Sequence, residues 1–167
     1  MLKHETLPHE RSSSPCRSPT KKTAYLRSQP LARLATVSGD GQPDVVPVGF
    51  DFDGSYFYVS GYQAIQTRKF QNVMNGNSKV ALVVDDLAST QPWAPRFLRI
   101  YGTADVVQRE GYAGPTSYLR ITPRVSWSWN LAGEPFAGET ERWGPELHRT
   151  IHQLPNLDAQ ASRRAQR

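Results

Sequence analysis

The chain has 167 residues and a formal net charge of +5, which suits one domain with a single sizeable core and leaves little room for a second. It contains no run of about 18 apolar residues, so no membrane-spanning helix is expected, and its first stretch holds no apolar segment of the secretory kind. The lone cysteine, Cys16, excludes an internal disulfide and makes a poor metal site, so the expectation is a cytoplasmic protein without a bound metal.

The basic surplus sits at the two ends. Lys3, Arg11, Arg17, Lys21 and Lys22 outweigh Glu5 and Glu10, while Arg163, Arg164 and Arg167 outweigh Asp158; the region between is neutral overall. A nucleic-acid module carries its cations on the folded face, so neither nucleic acid nor a membrane is an expected partner.

In chain order, residues 1–22 read as a disordered basic tail, proline-broken and poor in large apolar side chains. A helical turn at 23–28 precedes Pro30, and the period then becomes two. Strands are expected at 31–37, 45–53 and 55–60, with Asp53-Gly54 as a hairpin signal. Ile65, Phe70, Val73 and Met74 fall near helical spacing and Asn75-Gly76 supplies a stop, giving a short helix over 64–75. Three more strands follow at 79–85, 96–108, with a bend or bulge at Gly102, and 117–130, joined by loops at 86–95 and around 111–115. In the last strand Val125, Trp127 and Trp129 alternate with Ser126, Ser128 and Asn130. Residues 132–167 read as an irregular extension in which one helix can be drawn at 145–153. The fold class is therefore mainly β: a six-stranded antiparallel barrel, closed or split, over 23–131, with one helix inserted after the third strand.

Three features bear on chemistry. Thr67, Arg68 and Lys69 place a hydroxyl and two cations at the start of the helix, where they suit a phosphate or are simply a solvated, slightly unfavourable helix start. Pro47, between Val46 and Val48, removes a ladder hydrogen bond, marking an edge strand whose main chain either stays solvated or meets a planar ring. Trp127 and Trp129 either wall an aromatic ligand or fill a core or subunit interface. No Ser/His/Asp set, Rossmann loop or P-loop is present. His148 and His152 share the drawn helix at i, i+4 and read as a solvent-facing pair, while Glu139 and Glu141 lie too irregularly for acid–base partners. No catalytic residue is assigned.

The order of elements, with the segments LARLATVSGDGQPDVVPVGFDFDG, TRKFQNVMNGNSKVALVVDDLAS, PWAPRFLRIYGTADVV and YLRITPRVSWSW, resembles the pyridoxamine 5′-phosphate oxidase-like split barrels, and within them the branch that uses the deazaflavin coenzyme F-420. The resemblance spans roughly residues 31 to 131. It implies a homodimeric oxidoreductase with cofactors at the subunit interface and hydride transfer to a small organic acceptor. It further implies that Val46, Pro47 and Val48 offer backbone to the ring system and that Ser60 and Gly61 line the sugar-like chain. Thr67, Arg68 and Lys69 would hold the phosphate, and Trp127 and Trp129 would reach toward the other subunit's cofactor. FMN in the same fold, or a non-catalytic cofactor carrier, is the alternative. Residues 45–50 lack the basic residues that pyridoxamine oxidases set around FMN, and their C-terminal Arg/His substrate motif is missing, so pyridoxamine phosphate oxidation is not expected.

Overall fold

The computed structural model describes residues 20–135 and 146–153. Most of the sequence expected as tail lies outside them, but order begins earlier than residue 23. Thr20 caps α1 (Lys21–Ser28), its side chain accepting from the Thr23 N–H, and the helix turns Tyr25 and Leu26 into the core before Pro30 ends it.

The strands are β1 (Ala32–Val37), β2 (Pro43–Val48), β3 (Asp51–Phe52), β4 (Phe57–Val59), β5 (Lys79–Thr90), β6 (Trp93–Gly111), β7 (Gly114–Trp129) and β8 (His148–Ile151). They form one sheet in the order β2-β1-β5-β6-β7-β4-β3, every pairing antiparallel, with β8 added to β7. β2 pairs with β1 and β3 pairs with β4, so the single stretch 43–52 joins the two ends of the sheet and closes a split barrel. The expected second strand is thus broken at Gly49 and Phe50, where the chain leaves one neighbour for the other. Counting that stretch once, the barrel has the six strands expected; β8 is an addition.

Two expected loops are instead strand. β5 and β6 continue to a turn at Gln91 and Pro92, with a bulge between Leu87 and Ser89, and β6 and β7 meet at a two-residue turn of Tyr112 and Ala113. Long antiparallel arms satisfy their own backbone, so their polar outer residues did not signal an end. The bulge expected at Gly102 is present between Tyr101 and Gly102. A Cβ at Gly102 would overlap the Thr122 carbonyl oxygen, so only glycine fits there.

The helix drawn at 145–153 is not found: His148–Ile151 is a strand. β4 occupies the β7 edge only at Leu119, Arg120 and Ile121, leaving the edge from Val125 to Ser128 unpaired, and β8 fills it. The i, i+4 spacing of His148 and His152 suited a helix, but alternation governs here. Thr150 and His152 turn toward the barrel, and Ile151 remains 68% exposed. His152 is accordingly not part of a solvent-facing pair.

The barrel interior is packed by Leu34, Val59, Leu82, Ile100, Leu119 and Ile121, each at most 1% exposed. α2 (Arg68–Met74), preceded by a 3₁₀ turn at Ala64–Gln66, is shorter than expected and covers one end with Phe70 and Val73. α1 covers the other. No helix among the described residues is long and apolar enough to cross a membrane.

Candidate functional site

Beyond Val59 the chain leaves the sheet through Ser60 and Gly61, exposes Tyr62, and passes Gln63 in the left-handed region into the 3₁₀ turn. Thr67 then stands at the N-cap of α2. Its hydroxyl donates to Ala64 O at 2.6 Å and makes no capping bond to the helix. Thr67 O accepts from Phe70 and Gln71, whereas the N–H groups of Arg68 and Lys69 have no acceptor among the described residues. Arg68 is exposed and Lys69 half-buried, and neither belongs to an ion pair among those residues. Burial pushes the Lys69 ammonium below its usual range, opposed by the field of Asp44 on β2. Two cations and two N–H groups without acceptors among the described residues thus sit in the first turn of one helix, a composition suited to a phosphate.

The field of Asp44 on Lys69 also places the start of α2 beside β2. On β2 the side chains of Val46 and Val48 pack inward on the core, and Val45 and Pro47 face outward. β2 pairs with β1 alone, so its second edge is open. At Val46 and Val48, therefore, the groups available to a ligand are main-chain ones, while Pro47 also offers its ring.

Ser60 is 6% exposed and its hydroxyl donates to Ser117 O at 2.7 Å, so that hydrogen is engaged within the barrel. Gly61 is open, with nothing near a Cβ placed there. A residue that sequence reasoning passed over holds this corner together. The Tyr112 hydroxyl lies 2.7 Å from Ser60 N, which donates to it, and 2.8 Å from both Gly49 O and Ser60 O. It bolts the break between β2 and β3 to the end of β4. Nearby, Arg109 pairs with Asp51 at 2.6 Å and covers the ring of Tyr58 at 4.1 Å; burial and the Asp53 carboxylate push the Tyr58 phenol up to about 12.

The tryptophans lie elsewhere. The two faces of β7 separate as expected, but the polar one is inside: Ser126, Ser128 and Asn130 are 2, 3 and 5% exposed. Trp127 and Trp129 lie half-buried on the outer face, Trp129 stacked on Phe97 at 5.8 Å and Trp127 edge-on to Tyr101 at 4.9 Å. The register aligns Pro47, Arg33, Val83, Arg99, Trp127 and Arg149 in one row across the sheet. The next row is Val45, Ala35, Ala81, Tyr101, Val125 and Ile151, apolar throughout. Four strand spacings, roughly 19 Å along the sheet, separate Trp127 from β2 of its own chain. The structure therefore sets Lys69 within the field of Asp44 on β2, joins Ser60 to Gly49 just beyond Val48 through Tyr112, and leaves Trp127 and Trp129 apart.

Two more observations mark that outer face. A hollow of about 590 Å³ opens on it, lined by Val37, Pro43, Lys79, Tyr101 and Arg124 among others. Asp85 Oδ1 accepts no hydrogen bond among the described residues and has only a 3.6 Å ion pair with Arg33, and Arg99 Nε is buried without a hydrogen-bond partner there, although the Arg99 guanidinium lies 4.5 Å over the Trp127 ring.

Known proteins bear on this geometry. The family model described as pyridoxamine 5′-phosphate oxidase matches residues 19–127. A 5a,11a-dehydrotetracycline/5a,11a-dehydrooxytetracycline reductase of Streptomyces rimosus is 36% identical over 124 residues, covering 71% of this chain and 87% of that protein. Among solved structures, conserved hypothetical protein Rv2991 from Mycobacterium tuberculosis superposes with a TM-score of 0.56 at 20% identity, over 74% of this chain and 92% of its own. A putative pyridoxamine 5′-phosphate oxidase from Listeria innocua gives 0.53 at 20% identity, over 66 and 96%. These two likenesses concern the fold.

Proposed function

The chain belongs to the pyridoxamine 5′-phosphate oxidase family, and from that premise we propose that it is an oxidoreductase holding the deazaflavin coenzyme F-420 against the corner between β2 and α2. The observation that carries the reading is the pair Arg68 and Lys69, cations without an ion-pair partner among the described residues and with free N–H groups beside them. A half-buried ammonium that, among the described residues, feels the Asp44 field but forms no ion pair carries a desolvation cost that a bound phosphate offsets. The Thr67 hydroxyl gives its hydrogen to Ala64 O and so is not the phosphate donor expected of it, while the Ser60 oxygen remains an acceptor for a hydroxyl of the sugar-like chain. The open edge of β2 offers main-chain groups to a planar ring, and its outward residues Pro43, Val45 and Pro47 bring no cation to that ring. That lack of positive charge on β2, with Arg33 beside Pro47 already paired to Asp85, favours the deazaflavin over FMN.

When bound, the reduced cofactor would supply a hydride to the acceptor, which would also take up a proton. The named reductase acts on a dehydrogenated tetracycline, and its 36% identity supports an acceptor of that kind, a conjugated carbon–carbon double bond in a small organic molecule.

The working unit in this reading is a homodimer. The apolar row from Val45 to Ile151 ends in side chains 62 and 68% exposed, and Tyr101 within it is 44% exposed. Contiguous apolar surface of this kind is characteristic of an interface. A second copy laid on this face would cover the row, could offer partners to Asp85 and Arg99, and would carry Trp127 and Trp129 toward the neighbour's cofactor.

Titration of the purified protein with the deazaflavin, followed by fluorescence with FMN as competitor, tests the assignment. Saturable deazaflavin binding that FMN does not displace is expected, and Lys69→Ala should weaken it about tenfold or more. Tight FMN binding without deazaflavin binding would overturn the cofactor assignment, and an unchanged affinity in Lys69→Ala would remove that residue from the site.

A further inference from the structure

The opposite end of the barrel, under α1, holds a separate hollow of about 340 Å³. Leu98 and Ile100 on the inward face of β6 line it, as do Phe52, Phe57 and Leu26 of α1. This is the size and apolar character of a small-ligand site. The polar groups around it are one-sided in charge: Lys22, Ser126 and His152 line it, and no aspartate or glutamate does.

Lys22 is half-buried, and its Nζ donates to Thr150 Oγ1, a neutral hydroxyl, at 2.5 Å. It has no ion-pair partner among the described residues. Glu134 and Glu146 line the recess on its other side, yet neither pairs with it. His152 lies with Nε2 2.8 Å from Ser126 Oγ, and Ser126 is 2% exposed, so one ring nitrogen is tied to the barrel wall. The other ring nitrogen has no protein partner among the described residues. Burial lowers the pKa of both Lys22 and His152, and in His152 the charge of Lys22 adds to the effect. Among the described residues the Lys22 ammonium is bonded to a hydroxyl and to no carboxylate, and an apolar chamber adjoins it.

We propose that this hollow binds a small organic anion with a flat apolar body, of the aromatic carboxylate class, the body among Leu26, Phe52, Phe57 and Leu98 and the charge on Lys22. The apolar walls supply area and the cation fixes orientation, with the free nitrogen of His152 beside it. The site is independent of the phosphate anchor, because α1 and α2 close opposite ends.

The probe is 2-naphthoate, with the uncharged 2-naphthamide as its control, titrated into the full chain by calorimetry and by amide NMR shifts. Saturable naphthoate binding is expected, with shifts at Leu98, Ile100 and Ser126 and weaker binding of the amide. Lys22→Met should weaken naphthoate about tenfold or more, as loss of a charge-assisted bond requires, whereas Lys22→Arg keeps the charge and should stay within about threefold. Lys69→Ala should leave naphthoate binding unchanged, whatever it does to the deazaflavin. Equal affinity for acid and amide, an unaltered Kd in a folded Lys22→Met, shifts confined to the α2 end, or no saturable binding would each overturn the proposal.

Discussion

At one end of the barrel α2 drives Phe70 to 0% exposure and Val73 to 7%, while at the other α1 buries Tyr25 and Leu26 at 4 and 5%. The burial is similar, but what surrounds it is not. The α2 end is sealed by apolar packing with one buried polar pair, Asn72 donating to Thr36 at 2.9 Å, and its cations stand outside the seal. The α1 end is held by a polar cluster. Arg96 grips both oxygens of Asp86 at 2.7 and 2.8 Å, and Tyr25 and Gln29 donate to the same carboxylate at 3.1 and 2.9 Å. The hollow lined by Leu26 lies under the same helix. One end is closed by shape, the other by directed bonds over an incompletely filled space. A helix that seals by shape can carry charged groups on its outer rim for a ligand, while one that seals by bonds can leave room beneath itself.

The difference is measurable. Phe70→Ala empties a fully enclosed position and should cost about 3–5 kcal/mol in chemical denaturation. Leu26→Ala removes a side chain that already borders open space, so fewer contacts are lost and about 2 kcal/mol is expected. Equal costs at the two positions would show that the hollow is filled in solution and that the ends do not differ. Tyr25→Phe sharpens the same contrast at smaller scale. It removes the phenol hydrogen from Asp86 but leaves Arg96 and Gln29 in place, so the loss should be about 0.5–1.5 kcal/mol. A loss above that of Leu26→Ala would mean that the hydroxyl, rather than the ion pair, anchors the helix.

The same contrast explains what could be read before the structure was known. α2 and its cations are contiguous in sequence, so spacing revealed both the helix and Arg68 beside Lys69. The period of two in 31–37, the nearly unbroken apolar run of 79–85 and the alternation in the second half of 117–130 are equally local. What escaped was set by contacts distant along the chain. Tyr112 reaches Ser60 and Gly49 across 52 and 63 residues, and nothing in the turn around it announces that role. The alternation of β7 was visible, but not which side was inside. Serines and tryptophans are ordinarily sorted the other way. The inversion depends on His152 for Ser126 and, for Asn130, on Pro95 O and the Glu134 backbone. β8 was drawn as a helix because its pairing partner is the unfilled part of the β7 edge, which only the ends of β4 define.

The smallest expected effect concerns the pH response of the α1 end. Burial, with Lys22 nearby, holds the His152 pKa below its usual 6.5, so the folded chain prefers the neutral imidazole. Between the folded value and 6.5 the unfolded chain binds more protons, so stability rises with pH across that window and is lost on acidification. The lowered Asp86 pKa acts only below 3.8 and does not mask the window. Because Ser126 ties His152 to β7, the loss should fall on β8 first. Amide exchange at Thr150 and His152, corrected for intrinsic rates, should accelerate relative to Ile100 as pH drops from about 7.5 to about 5.5. His152→Gln keeps a neutral partner for Ser126 and should abolish that dependence. If the dependence survives in His152→Gln, the proton is taken up elsewhere and the α1 end owes nothing of its fastening to this imidazole.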